Sequence, residues 1–230
     1  MYSSDYQLKK DPLDVPKQAL EVHRKIVSAL KNLESLDCSC LDPLFVAGFS
    51  DVLSLYQIFQ QLVIAHSSMN VSCKQGCSYC CYHWVEDVNS FEAEIIADYI
   101  KRNMPEKVNS IIEICKDDTA ELERLLNVVS AKISESKDDE ADQIDEFELL
   151  LTVFYQMKRP CPLLDDNNSC SVYPVRPLTC RVYMSFADPL HCSPEYINDE
   201  EVSTYLLNLE EDANEILDRL HFRYRKDEND

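Results

Sequence analysis

Apolar residues recur three and four apart along most of the chain, the spacing that lines them up on one face of an α-helix. Pro16 suits the first turn of a helix, and Leu20, His23, Val27, Leu30 and Leu33 follow it at helical spacing, ending near Cys38-Ser39-Cys40. Leu55, Phe59, Leu62 and Val63 predict a second helix over 51–67. Asn89 with Glu92 three residues later is a helix-start capping pattern, and Ala93, Ile96, Ala97 and Ile100 carry that helix onward. Pro105 opens a run through Val108, Ile111, Ile112 and Cys115, and Leu122, Leu125, Leu126, Val129 and Ile133 form another. Cys115 stands alone on its apolar face and is expected in the core. Phe147, Leu150, Leu151 and Phe154 predict a helix that delivers the chain to Pro160-Cys161. A last helix is expected to carry Val202, Tyr205, Leu206, Leu209, Ala213, Ile216, Leu217 and Leu220.

Composition agrees with helices throughout. Only two of the 230 residues are glycine, Gly48 and Gly76, whereas large sheets and barrels spend glycines on turns and bulges. The expected fold class is all-α, a helical domain with irregular cysteine-rich loops. The chain divides into an N-terminal helical region at 1–68, a cysteine-rich domain at 69–195 and a C-terminal helix at 196–230, together one compact unit. An acidic, solvated linker is expected at about 134–143, because eight acids face Lys137 alone between Glu135 and Glu148.

Charge narrows the partners. The 42 acidic residues against 22 basic ones leave a net charge of −20, a surface that repels a phosphate backbone, so no nucleic-acid partner is expected. The N-terminal residues lack the basic start and apolar run of a signal peptide. No apolar stretch approaches the roughly 20 residues that cross a bilayer. A cytoplasmic location without a membrane partner is therefore expected, where thiols stay reduced. Eleven cysteines in such a compartment point to metal ligation before cross-linking.

Eight of them fall in two stretches. Cys73, Cys77, Cys80 and Cys81 occupy nine residues, and Cys161, Cys170, Cys180 and Cys192 form the second group. Thiolate is a soft, strong ligand, and Cys77-x2-Cys80 lets two sulfurs converge on one ion. Adjacent residues diverge, so Cys80 and Cys81 can serve different metals. The set suits two four-cysteine zinc sites, or one four-iron four-sulfur cluster with thiols to spare. Zinc stands ahead of iron here, because a closed thiolate shell needs no redox chemistry. Cys73-x3-Cys77-x2-Cys80, with Tyr79 before its last cysteine, also has the spacing of radical S-adenosylmethionine enzymes. Their β/α barrel and Gly-Gly strand have no counterpart in this chain. Cys38 and Cys40 read as incidental. His191 beside Cys192 is a candidate replacement ligand, set against an ordinary hydrogen-bonded histidine. Lys74, Lys158, Arg159, Arg176 and Arg181 gather beside the cysteines and could offset thiolate charge.

The order Cys-x3-Cys-x2-Cys-Cys, Glu92-Ala93, Cys-Pro-Leu-Leu and Cys-x-Val-Tyr-x-x-Arg-Pro-x-x-Cys-Arg resembles the YkgJ-type cysteine-cluster family over about Ser72 to Cys192. The flagellin lysine N-methylases carry a similar cluster. The resemblance implies zinc or iron chelation by Cys73, Cys77, Cys80, Cys81, Cys161, Cys170 and Cys180, with Cys192 as an eighth ligand. Tyr82 stands where that family often has a histidine, and His83 follows it, which leaves a ligand role for His83 open. The expected function is a cytosolic zinc- or iron-binding cysteine-cluster protein. An iron–sulfur enzyme related to the protein-lysine methylases is the alternative, and no catalytic residue is assigned.

Overall fold

The computed structural model describes residues 15–67, 71–74, 76–85, 87–135, 146–186, 188–196 and 204–226. Seven α-helices and one two-stranded ribbon lie among them, so the all-α expectation holds. Helix α1 (Lys17–Ser35) starts behind Pro16 and buries Ala19, His23, Ile26, Val27, Leu30 and Leu33. Helix α2 (Pro43–Ser67) begins eight residues before the predicted Asp51. Asp42 explains the earlier start, since its carboxylate accepts the Leu44 N–H (2.9 Å) and its carbonyl the Val46 N–H (3.0 Å). Gly48 lets α1 and α2 approach closely, because a Cβ there would sit 2.7 Å from Leu33 Cδ2.

Helix α3 (Ser90–Asn103) starts at the predicted cap but buries Phe91, Glu92, Ile95 and Ile96, while Ala93 faces solvent. The two apolar runs after Pro105 are one helix, α4 (Val108–Glu135), entered through a 3₁₀ turn at Pro105–Lys107. Cys115 is exposed on it, contrary to the core expectation. The apolar stripe of α4 is left partly uncovered, with Ile112 45% and Ile114 42% exposed. The predicted linker lies outside the described residues from 136 to 145, and α4 covers its first two positions. Helix α5 (Glu146–Met157) packs beside α4 and leads to Cys161 as expected.

The C-terminal segment departs from its predicted helix. Val202 lies outside the described residues, and Thr204–Leu206 is a strand, β2, antiparallel to β1 (Tyr183–Ser185) with Met184 opposite Tyr205. Helix α7 (Glu211–Tyr224) starts only after it and buries Ala213, Ile216, Leu217 and Leu220. A short helix, α6 (Leu178–Val182), precedes β1.

One core joins α1, α2, the start of α3, α6, β1 and α7, built on Phe45, Phe49, Tyr56, Phe59, Phe91, Ile26 and Leu30. Each such side chain contributes roughly 1.5–3 kcal/mol on leaving water. Polar ties fix the second cysteine stretch and the residue after β2 to that core. The Tyr56 hydroxyl donates to the Leu207 carbonyl (2.7 Å), and Gln60 Nε2 donates to the Arg181 carbonyl (2.9 Å). No helix among the described residues is long and apolar enough to cross a membrane.

Candidate metal centre

The cysteines sit on tight turns at the edge of the core. The first stretch runs extended over 71–74, where Ser72 donates its N–H (2.9 Å) and hydroxyl (3.0 Å) to the Ser185 carbonyl of β1. It then turns at Gly76, whose φ of 82° favours glycine, with the Cys77 N–H closing on the Lys74 carbonyl (3.0 Å). A 3₁₀ turn at Tyr79–Tyr82 carries Cys80 and Cys81.

The second stretch starts with a hydrogen bond across 79 intervening residues, from the Cys161 N–H to the Cys81 carbonyl (2.7 Å). Leu164 and Cys170 form a β-bridge around a turn in which the Asp165 carboxylate accepts the N–H groups of Asn167 and Ser169. Pro174 lies in the 3₁₀ turn Tyr173–Val175, Cys180 on α6, and Cys192 ends the 3₁₀ turn Pro189–Cys192, behind Pro189. Proline pre-sets φ at these turns and removes N–H groups that would lack partners.

All eight predicted residues come into one neighbourhood. Although Cys73 is exposed as a residue, partial desolvation of its sulfur raises the thiol pKa, and the nearby Cys80 and Cys77 raise it further. Burial likewise raises Cys192, which faces Cys73, Cys80 and Cys77. Burial raises Cys161, beside Cys170, and pushes Cys180 up to about 11, with Cys161 and Cys80 close by. Cys80 is the exception. The neighbouring Cys81 thiol and the Arg176 guanidinium hold it below the ordinary thiol value against its burial, while Cys81 is held above it.

Arg176 is the counter-charge. Its guanidinium is half-buried and lies beside Cys80 and Cys180, whose thiolate forms it favours. Burial alone would lower its pKa, but Cys180, Cys80, Cys170 and Cys81 around it give a net rise. Arg181 plays a different part: it donates to the carbonyls of Arg176 (2.8 Å), Tyr173 (3.0 Å) and Pro174 (3.2 Å), clamping the turn that presents Arg176. Lys158 and Arg159 turn to Glu195 (2.6 Å) and Asp118 (3.6 Å), so these two cations are spent on carboxylates. Lys74 is exposed.

Two other residues support the thiols. Ser185 is fully buried, donates its N–H to Cys73 Sγ (3.4 Å) and hydrogen-bonds Cys192 through its side chain. Glu92 is 1% exposed and accepts the Leu178 N–H (2.8 Å) at the start of α6, two residues before Cys180, as well as the Asn89 N–H (3.1 Å). Glu92 was visible as a cap; its reach to α6 was not. His83 donates Nε2–H to the Cys192 carbonyl (2.8 Å), and its ring lies between those of Tyr155 and Tyr183.

The donor set fits a soft metal ion, with seven thiols half-exposed or buried and Cys73 exposed at the rim. No three of the eight sulfurs, all on described residues, lie within 4.8 Å of one another. The group that does meet that distance, His23, Glu210 and Asp212, marks the start of α7, where His23 Nε2 accepts the Glu210 N–H (3.1 Å). The sequence profile of the CxxCxxCC family, described as "Putative zinc- or iron-chelating domain", matches residues 72–205, more than half of the chain and every one of the eight cysteines. The chain belongs to this family. The CxxCxxCC domain thus spans the first cysteine stretch, α3 to α6 and the β1–β2 ribbon, while α1, α2 and α7 lie outside it. No curated protein and no solved structure matches the chain.

Proposed function

We propose that Cys73, Cys77, Cys80, Cys81, Cys161, Cys170, Cys180 and Cys192 hold a zinc or iron centre to which both stretches contribute. The observation that carries this reading is the placement of Arg176 among thiols from both stretches, Cys80 and Cys81 from the first and Cys170 and Cys180 from the second. A thiolate cluster accumulates negative charge, and a half-buried cation beside the sulfurs offsets it. On a chain of net charge −20, a guanidinium spent on thiols rather than carboxylates has no other evident use. The metal ion is the partner in this reading, with no nucleic acid or membrane, and free thiols fit a reducing compartment such as the cytoplasm.

Metal analysis of anaerobically purified protein tests the proposal. Zinc or iron at a whole-number ratio to protein is expected, and absence of both ends it. The Cys73-x3-Cys77-x2-Cys80 spacing favours a second reading in which the metal is an iron–sulfur cluster. A brown protein with acid-labile sulfide is the expected result for a cluster, and a colourless zinc-loaded protein the result against it.

A further inference from the structure

Two buried polar atoms flank Cys192 without a hydrogen-bond partner, His191 Nδ1 and Ser193 Oγ. A buried imidazole nitrogen left unpaired costs free energy comparable to a lost hydrogen bond, so such an atom calls for a ligand, an ion or a water. The backbone on either side is fully engaged: the His191 N–H bonds to the Asp188 carbonyl (3.0 Å) and the Ser193 N–H to the Leu190 carbonyl (3.0 Å). The unpaired atoms are therefore not the by-product of a loose loop. The turn Pro189–Cys192 that carries His191 packs against the turn Tyr79–Tyr82 that carries Cys80 and Cys81. Cys192, the next residue, is 3% exposed and faces Cys73, Cys77 and Cys80. The imidazole is held by ring contact with Tyr196 (4.9 Å between centroids).

We propose that His191, through Nδ1, is a further ligand of the metal centre formed by the cysteines. The assignment rests on the metal-binding reading above and extends it to a residue outside the thiol set. Imidazole suits both zinc and iron. It is also neutral, so it adds a donor without adding to the negative charge that Arg176 must offset. That matters in a cluster with eight thiols and few nearby cations free to serve them. The competing explanation is a buried water bridging His191 and Ser193, with no part in the centre.

Cobalt(II) loaded anaerobically into the full chain separates the two. His191→Asn keeps a hydrogen-bonding group near the Nδ1 position but replaces imidazole by a poor ligand for a soft ion. If His191 is a ligand, this variant should bind cobalt at least about 100-fold more weakly, beyond the 10–100-fold typical of outer contacts, with shifted d–d bands. Ser193→Ala, which breaks a bridging water equally well, should leave both readouts close to wild type. Pulsed EPR on the wild-type cobalt protein supplies a readout that does not depend on any variant folding, since a coordinated imidazole nitrogen gives a hyperfine coupling. Absence of that coupling in a loaded wild-type protein overturns the assignment, as does a His191→Asn protein with unchanged affinity and spectrum. A wild-type chain that takes up neither cobalt, zinc nor iron overturns the metal-binding reading and this assignment with it.

Discussion

Glu92 shows how one side chain ties the helical scaffold to a cysteine. Its carboxyl is buried where two helices start, taking N–H donors from Asn89 at the head of α3 and from Leu178 at the head of α6. Burial raises its pKa above the ordinary 4.5, and the donors from Leu178 and Asn89 only partly offset this. The native state thus binds a proton more tightly than the unfolded chain. This group's contribution to stability is full below the ordinary carboxylate pKa and is lost as pH rises through the raised value. Glu92→Gln should remove that portion of the pH dependence, measured as the urea midpoint across the acid range. A Glu92→Gln protein with the wild-type profile would show that the carboxyl does not titrate in this way. Glu92→Ala leaves the Leu178 N–H without its acceptor and should cost about 1–3 kcal/mol. It should also loosen α6, and with it Cys180.

At the scale of elements, the α1–α2 pair is set by the absence of a side chain. Gly48→Ala gains about 1 kcal/mol of helix propensity, but its methyl meets Leu33 Cδ2 at 2.7 Å, and Leu33 is 2% exposed with little room to move. Crowding of this kind costs about 1–3 kcal/mol, so the alanine variant should fall within about 1–2 kcal/mol of wild type and Gly48→Val clearly below it. Thermal unfolding of both variants checks the order, and a valine variant as stable as wild type would mean that α1 shifts freely. Helices α1, α5 and α7 were legible because their apolar faces repeat every three or four residues against a packed partner. The ribbon β1–β2 was not, since three-residue strands offer too few positions for alternation to show, and Tyr205 and Leu206 fitted a helical spacing by chance. Cys115 was misplaced because an apolar stripe reveals a face without revealing whether anything covers it. In the site, the cysteines and Arg176 stood out by spacing and charge, whereas Ser185 has no local mark. Its role comes only from β1 lying beside the first stretch.

For the whole molecule, the consequence lies in how far apart in sequence the thiols are. Cys81 and Cys161 meet through a backbone hydrogen bond across 79 residues, and Ser72 and Cys73 bond to Ser185, so the two stretches are held together by these bonds, by the core and by the proposed metal. If the metal joins both, binding it closes that long loop, and its binding free energy becomes folding free energy for the segment from Cys73 to Cys192. The packing of α1 against α2 and α7 lies outside that loop. Removing the metal with a chelator should therefore split unfolding into two steps: an early loss around the cysteine turns and a later loss of the helical core. Cys180→Ser should do the same without chelator and lower the metal content. Cys38→Ala, whose backbone carbonyl holds the Tyr224 hydroxyl (2.9 Å) within the helical core, should keep its full metal content. Hydrogen exchange distinguishes the steps, because amides at Cys81, Cys161 and Ser185 should lose protection on chelation while those of α2 around Tyr56 keep it. Full metal loading and unchanged exchange in Cys180→Ser would place the second stretch outside the centre.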